Sequence, residues 1–371
     1  MESVKFTPPS WAQEAFPEHR IPNKKLSLAR IPTPIQRWHL PRLPDGVRVY
    51  IKRDDLTGLE FSGNKIRKLE FILAEAKEKG YDCVITLGGI QSNHARATAV
   101  VCAMLAMDAH LILRTSRALI DNDPGLEGNL MIERMVGAHI HLVTKEEYAT
   151  KGQQQLGSLL VKELRENGKN PLLIPVGGSS ALGTWGYLTM IDEIVQQNKE
   201  QDLSITDIAS ACGSGGTTAG IAVGCYLAKK YCGGSLEESC KVHGYMVCDN
   251  EQYFLNYIDG LFEEMELEPK VLGNDGCKDM VRLVQAKGKG YALSSKEELE
   301  TIVEVAQATG IVLDPVYTGK AVHAMLTEIR SNPGEWNGRR ILFVHTGGAF
   351  GVYGESRQLQ GMVHPVQRLQ I

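Results

Sequence analysis

The chemistry this chain could perform begins with one lysine. In Phe61-Ser62-Gly63-Asn64-Lys65-Ile66-Arg67-Lys68, Lys65 stands between a glycine-bearing loop and a strongly periodic segment. Ile66, Leu69, Ile72, Leu73 and Ala76 recur at three- and four-residue spacing, which predicts a helix with one apolar face, while Lys68, Glu75, Lys77 and Glu78 fall largely elsewhere. An amine in that first turn, near the positive end of a helix and beside Arg67 and Lys68, is disfavoured as an ammonium. Lys65 therefore reads as a nucleophile able to anchor a cofactor covalently. A solvated surface lysine is the ordinary alternative, so the remaining motifs must decide.

Two glycine-rich turns supply anion-binding geometry. Cys212-Gly213-Ser214-Gly215-Gly216-Thr217 follows an apolar strand and opens a helix through Ile221, Ala222, Cys225 and Leu227. Glycines there let backbone N–H groups converge on a phosphate, and Ser214 and Thr217 add hydroxyls. The spacing matches a dinucleotide fingerprint only loosely, and the lysine that ends a nucleoside triphosphate loop is missing. The second turn, Gly88-Gly89-Ile90-Gln91-Ser92-Asn93-His94, offers amides, a hydroxyl and helix-start N–H groups to a small carboxylate. Ser92 or Asn93 could equally cap the following helix, and His94 receives no catalytic role. Later in the chain, Asp314-Pro315-Val316-Tyr317-Thr318-Gly319-Lys320 places an aromatic ring at a proline-constrained turn, and His345-Thr346-Gly347-Gly348 closes the last apolar strand.

These residues need a scaffold that brings distant loops together. At 371 residues the chain is long enough for two lobes. Apolar content of 43 %, charged content of 23 % and a formal charge of -4 are ordinary for a globular protein and argue against a nucleic-acid partner. Eight cysteines lack any Cys-x-x-Cys pair and read as reduced thiols, and no metal site is evident. No apolar run approaches the roughly 18 residues of a membrane helix, and the N-terminal residues lack a signal or transit pattern, so no membrane association is expected and the cytoplasm is the expected location. Residues 1–45 are rich in proline and should wrap a surface with little regular structure. Beyond a strand at Val47–Lys52, short apolar strands are expected at 83–87, 110–113, 139–143, 172–174, 208–211, 242–247 and 341–344. Their spacing of about 30 residues marks βαβ units and largely parallel sheets. Residues 250–301 break the rhythm and receive no assignment. In such sheets ligands collect at the carboxyl ends of the strands.

Taken together, the motifs resemble the fold-type II pyridoxal phosphate enzymes and, within them, the D-cysteine desulfhydrase/1-aminocyclopropane-1-carboxylate deaminase family. The resemblance spans about Leu28 to Gly348 and is carried by Lys52-Arg53-Asp54-Asp55, Gly63 to Glu70, Gly88 to His94, Gly213 to Thr217 and Asp314 to Lys320. It implies an α/β fold of two lobes, tryptophan synthase β-like, each a mostly parallel sheet flanked by helices. The large pyridoxal phosphate-binding domain would comprise residues 1–59 plus 171–371 and the small domain residues 60–170, with the cofactor between them and a homodimer as the usual assembly.

The resemblance also implies roles. Lys65 would hold pyridoxal 5'-phosphate as a Schiff base, and Cys212, Gly213, Ser214, Gly215, Gly216 and Thr217 would hold its phosphate. Asn93 would bond the ring hydroxyl, Tyr317 would lie against the ring and Thr346 would face the pyridine nitrogen. Gln91, Ser92 and Asn93 would receive the substrate carboxylate, with Thr318 beside the substrate and Lys65, Ser92 and Tyr317 as the catalytic set. Relatives that open the cyclopropane ring carry Glu after the ring-facing Tyr and Leu before the final Gly-Gly, where this chain has Thr318 and Thr346. A neutral hydroxyl at the pyridine nitrogen makes a weaker electron sink, which favours prompt loss of a β-substituent. The expected activity is therefore β-elimination of D-cysteine to pyruvate, ammonia and hydrogen sulfide. Alternatives are the cyclopropane deaminase, a lyase acting on cysteate or D-serine, and a binding protein without turnover.

Overall fold

The computed structural model describes residues 1–234, 236–267, 271, 276–354 and 356–369. Twelve strands occur among them: β1 (Ser3–Lys5), β2 (Lys24–Leu26), β3 (Ile35–Arg37), β4 (Arg48–Lys52), β5 (Cys83–Gly89), β6 (Asp108–Thr115), β7 (His139–Thr144), β8 (Pro171–Ile174), β9 (Asp207–Cys212), β10 (Lys241–Met246), β11 (Arg282–Gln285) and β12 (Arg340–Val344). Six form one sheet in the order β11-β10-β9-β12-β4-β3, and four form another in the order β7-β6-β5-β8. Pairing is parallel throughout both sheets except between β3 and β4, which a short link joins as an antiparallel pair. Central strands are buried on both faces, as every residue of β9 is, which explains their continuous apolar runs.

The smaller sheet extends past the lobe boundary expected at residue 170. The helix Lys145–Glu166 returns the chain to the free edge of β5, where Pro171–Ile174 pairs from Cys83↔Pro171 to Thr86↔Ile174. The unassigned stretch from 250 holds the helix Glu251–Glu264, whose Asn250 cap accepts from the Tyr253 N–H, then β11, then the start of the helix Lys296–Thr309. Its strand is only four residues long, and residues 268–270 and 272–275 of that stretch lie outside the described residues. The proline-rich N-terminal segment drives Phe6, Trp11 and Phe16 into the large-sheet core around Trp185. All eight cysteines are free thiols, and no helix of the described residues is long and apolar enough to cross a membrane.

The helix Lys65–Glu78 lies where the two sheets meet. Ile66, Leu69, Ile72, Leu73 and Ala76 pack into the small-sheet core, whereas Phe71 reaches the large-sheet core with Trp185. Gly186 admits this close approach, since a Cβ there would sit 2.3 Å from the Arg67 carbonyl oxygen. Lys68 does not lie outside as its spacing suggested: it is buried, and so are Arg67 and Glu70. Burial of charge requires partners, and for Arg67 a closed cluster supplies them. Arg67 forks onto Asp54 (2.8 and 2.9 Å) and Glu193 (2.7 and 3.0 Å). Lys52 Nζ donates to Glu193 (2.8 Å), to the Thr33 carbonyl (2.8 Å) and to Gln197 (2.7 Å), while Thr33 Oγ1 donates to Asp54 (2.8 Å). Two cations and two carboxylates thus cancel, and they tie β4, the helix Ala181–Glu200 and the helix that begins at Lys65.

Replacing Asp54 by Ala leaves Arg67 partly unpaired in a dry interior, and the expected loss is about 3–5 kcal/mol of unfolding free energy. Denaturant unfolding of the variant beside the parent protein measures it.

Candidate active site

A cavity of about 500 Å³ opens between the carboxyl ends of the two sheets. Lys65 begins its helix at the floor of this cavity. The loop before it is fitted to the loop after β12: Gly63 (φ +105°) would place a Cβ 2.6 Å from the Thr346 carbonyl oxygen, and Gly347 (φ +87°) would place one 2.7 Å from Gly63 Cα. Neither position accepts a side chain. The Asn64 N–H donates to the Thr346 carbonyl (3.1 Å), and Asn64 Nδ2 donates to Thr217 Oγ1 (3.0 Å). The lysine loop, the Thr346 loop and the glycine-rich cup are therefore one mechanical unit.

Lys65 is lowered from its ordinary value to about 8, and the cause is burial. The direction matches the sequence expectation, but desolvation produces the shift rather than the helix end. Lys68, one turn on, is held well below its ordinary value by burial and then by Lys65; its Nζ donates to the Gly177 carbonyl (3.2 Å) and Ser179 Oγ (3.4 Å).

The glycine-rich turn joins β9 to a helix, as the sequence pattern predicts. Gly215 has φ +83° just before the helix Gly216–Tyr231, and among the described residues no protein acceptor takes the N–H groups of Gly213, Ser214, Gly216 or Thr217. Thr218 Oγ1 is buried at the same helix start, beside the Cys212 thiol. Ser214 Oγ lies 2.8 Å from Ser179 Oγ. Free donors at a helix N-terminus fit a phosphate group. Gly213, Ser214, Gly215 and Thr217 line the cavity; Cys212 and Gly216 do not, Cys212 being a buried thiol pushed up to about 12 by desolvation.

Asp314 shapes the turn that carries Tyr317. Its carboxylate accepts from the N–H groups of Val316 (3.0 Å), Tyr317 (2.8 Å) and Thr318 (2.8 Å). Thr318 Oγ1 also donates to Asp314 (2.6 Å), so this hydroxyl is committed to the turn and the residue stays out of the cavity wall. Gln91 is likewise turned away from the place expected for it. Its Oε1 accepts from the Asn129 N–H (2.8 Å), and its Nε2 donates to the Glu127 carbonyl (3.1 Å). Ser92 caps the helix Asn93–Met104 through the Ala95 N–H (3.1 Å) and, with Asn93, still lines the cavity; Thr346 lines it as well.

Tyr291, Arg114 and His94, outside the expected set, also belong to the wall. Tyr291 OH lies 2.6 Å from Tyr317 OH, and burial raises both phenols. The Tyr291 loop is held by Lys320, whose Nζ donates to the carbonyls of Lys287 (3.0 Å) and Leu293 (2.9 Å) and to Glu298 (2.9 Å). Arg114, at the end of β6, lies over the rings of Tyr148 (4.7 Å) and Tyr291 (5.4 Å). His94 is buried and held well below its ordinary value, first by burial and then by Lys65 and Lys68. Thr86 Oγ1 donates to the Ile174 carbonyl, so it accepts from His94 Nε2 and leaves His94 Nδ1 a bare, unpartnered acceptor. Tyr291 and Arg114 carry no local motif, and only the fold brings them to Tyr317.

This site defines a class of enzyme: one cavity holds a desolvated lysine, a glycine-rich helix start with free N–H groups and an aromatic ring. The chain belongs to the pyridoxal-phosphate dependent enzymes, in the D-cysteine desulfhydrase/1-aminocyclopropane-1-carboxylate deaminase family; the model of the wider family, described as pyridoxal-phosphate dependent enzyme, matches residues 26–347. The chain is 48 % identical over 368 residues to the bifunctional D-cysteine desulfhydrase/1-aminocyclopropane-1-carboxylate deaminase, mitochondrial, of Arabidopsis thaliana, covering 99 % of this chain and 88 % of that protein. With the D-cysteine desulfhydrase of Serratia proteamaculans (strain 568) it shares 34 % over 331 residues, 88 % of this chain and 94 % of the relative. A crystal structure of a homologue of the deaminase superimposes with a TM-score of 0.75 at 32 % identity, covering 91 % of this chain and 96 % of the other. Pyridoxal phosphate is accordingly the cofactor.

With Lys65 lowered to about 8, its amine loses its proton as pH rises through that value, because burial penalises the ammonium form. In cofactor-free protein the rate of Lys65 modification by an amine-reactive probe should therefore rise with a midpoint near pH 8, well below an ordinary lysine. Peptide mapping of the labelled protein across pH 6–11 reads the midpoint.

Proposed function

We propose that this chain removes the β-substituent of D-cysteine, releasing pyruvate, ammonia and hydrogen sulfide. The observation that carries the reading is the wall around Lys65: the amine is desolvated in a cavity that Thr346 also lines, and Asp249 is the one acidic side chain among its described lining residues. Pyridoxal phosphate, when bound, supplies the electron sink that acidifies Cα. In this reading the cup from Gly213 to Thr217 holds the phosphate, Asn93 bonds the ring hydroxyl, Tyr317 lies against the ring and Thr346 offers a neutral hydroxyl to the ring nitrogen. Ser92 and the helix-start N–H groups take the substrate carboxylate. Lys65 Nζ, when free, accepts the Cα proton, being a base with a value near neutrality. The C–S bond breaks with its electron pair leaving on sulfur as hydrosulfide, and water hydrolyses the released 2-aminoacrylate to pyruvate and ammonia.

The sheet pairing supports a small lobe of about residues 60–174 and a large lobe comprising the rest, with the cavity between them. We place the working enzyme in the cytoplasm as a homodimer; the plant relative is named as mitochondrial, and cell fractionation and sedimentation test the two points.

Product yields from D-cysteine, L-cysteine, cysteate, D-serine and 1-aminocyclopropane-1-carboxylate test the activity. Sulfide and pyruvate should come from D-cysteine with at least a tenfold preference in kcat/KM, and Lys65→Ala should abolish both. A preference for the cyclopropane substrate, read as 2-oxobutanoate, would transfer the chain to the deaminase reaction.

A further inference from the structure

Asn129 lies on the short helix Gly128–Met135, fully buried and remote in sequence from every motif of the site. Its amide orientation is fixed by partners that allow no choice. Arg96 Nε can only donate, and it lies 2.7 Å from Asn129 Oδ1. The Gln91 carbonyl can only accept, and it lies 3.0 Å from Asn129 Nδ2. The same Nδ2 lies 3.0 Å from the side-chain oxygen of Asn93. Asn93 therefore presents Oδ1 to Asn129, and its own Nδ2 is left to face the cavity. Arg96 is itself clamped, donating to the Ser62 carbonyl (2.9 Å) and to the Glu60 carbonyl just before the lysine loop, with Phe350 against its guanidinium (4.8 Å).

We propose that Asn129 is a positioning residue that locks Asn93 as a hydrogen-bond donor into the cavity, so that the cofactor's ring oxygen is bound as the phenolate and not as the hydroxyl. This rests on the reading of Asn93 given above and specifies the protonation state it selects. An N–H directed at a phenolate stabilises the negative oxygen and loosens the proton on the lysine-bound nitrogen beside it. The charged and titratable groups around the pair are Arg96 and His94 on the Asn93 helix, Glu133 on the Asn129 helix, and Lys65 and Lys68 on the helix Lys65–Glu78.

The test is the pH midpoint of the visible absorption of the cofactor-loaded enzyme, measured for the parent, Asn93→Ala, Asn129→Ala and Asn129→Asp. Asn129→Asp keeps the acceptor for Arg96, but it withdraws the donor from the Gln91 carbonyl and from Asn93 Oδ1, so the Asn93 amide turns over. Asn93→Ala and Asn129→Asp should each raise the midpoint by about one pH unit, and the double variant should shift no further than Asn93→Ala alone. Asn129→Ala should shift in the same direction, while the phosphate cup still retains the cofactor. A parent-like midpoint in Asn129→Asp, with Asn93→Ala shifted, overturns the role of Asn129. A parent-like midpoint in Asn93→Ala overturns the underlying assignment of Asn93, and the inference falls with it.

Discussion

Everything at the catalytic end of this enzyme depends on a charge pair buried two residues beyond Lys65. Arg67 is fully enclosed and bonded to Asp54 and Glu193, and Lys52 completes the set from the neighbouring strand. Separating such groups from water is costly and is offset only when every charge has a partner in good geometry. The cluster therefore has one satisfactory arrangement, and it sets the start of the helix Lys65–Glu78 relative to β4 and the helix Ala181–Glu200. Position is what the Schiff-base role proposed for Lys65 needs, since its amine would have to meet a ring held by loops from both sheets.

The same region separates two kinds of buried cation. Arg67 and Lys52 are balanced by carboxylates and remain structural. Among the described residues no carboxylate pairs with Lys65, and burial alone brings it to about 8. Lys68 is buried too, but it spends its amine on the Gly177 carbonyl and Ser179 Oγ and backs the wall instead of entering the cavity. Two lysines three residues apart thus differ in function because one has acceptors and the other faces a cavity.

Much of this was legible in the sequence wherever the pattern is local. The helix at Lys65, the apolar strands and the glycine-rich cup are short-range signals, and each appears within a residue or two of its expected place. The lobe boundary was less legible, because Pro171–Ile174 joins whichever sheet edge the preceding helix brings it to. Thr318 and Gln91 looked like site residues by position, yet their side chains satisfy the local turn and the 127–129 loop. Tyr291, Arg114 and Asn129 matter through contacts across tens of residues, which no window of sequence contains.

Lys65, and not its buried neighbour Lys68, is proposed to carry the cofactor and to move the Cα proton. Borohydride reduction of the pyridoxal phosphate-loaded protein, followed by peptide mass spectrometry, reads the attachment point directly. The mass of the reduced cofactor should fall on Lys65, at about one per chain. Attachment at Lys68 or at a surface lysine would contradict the assignment of the site.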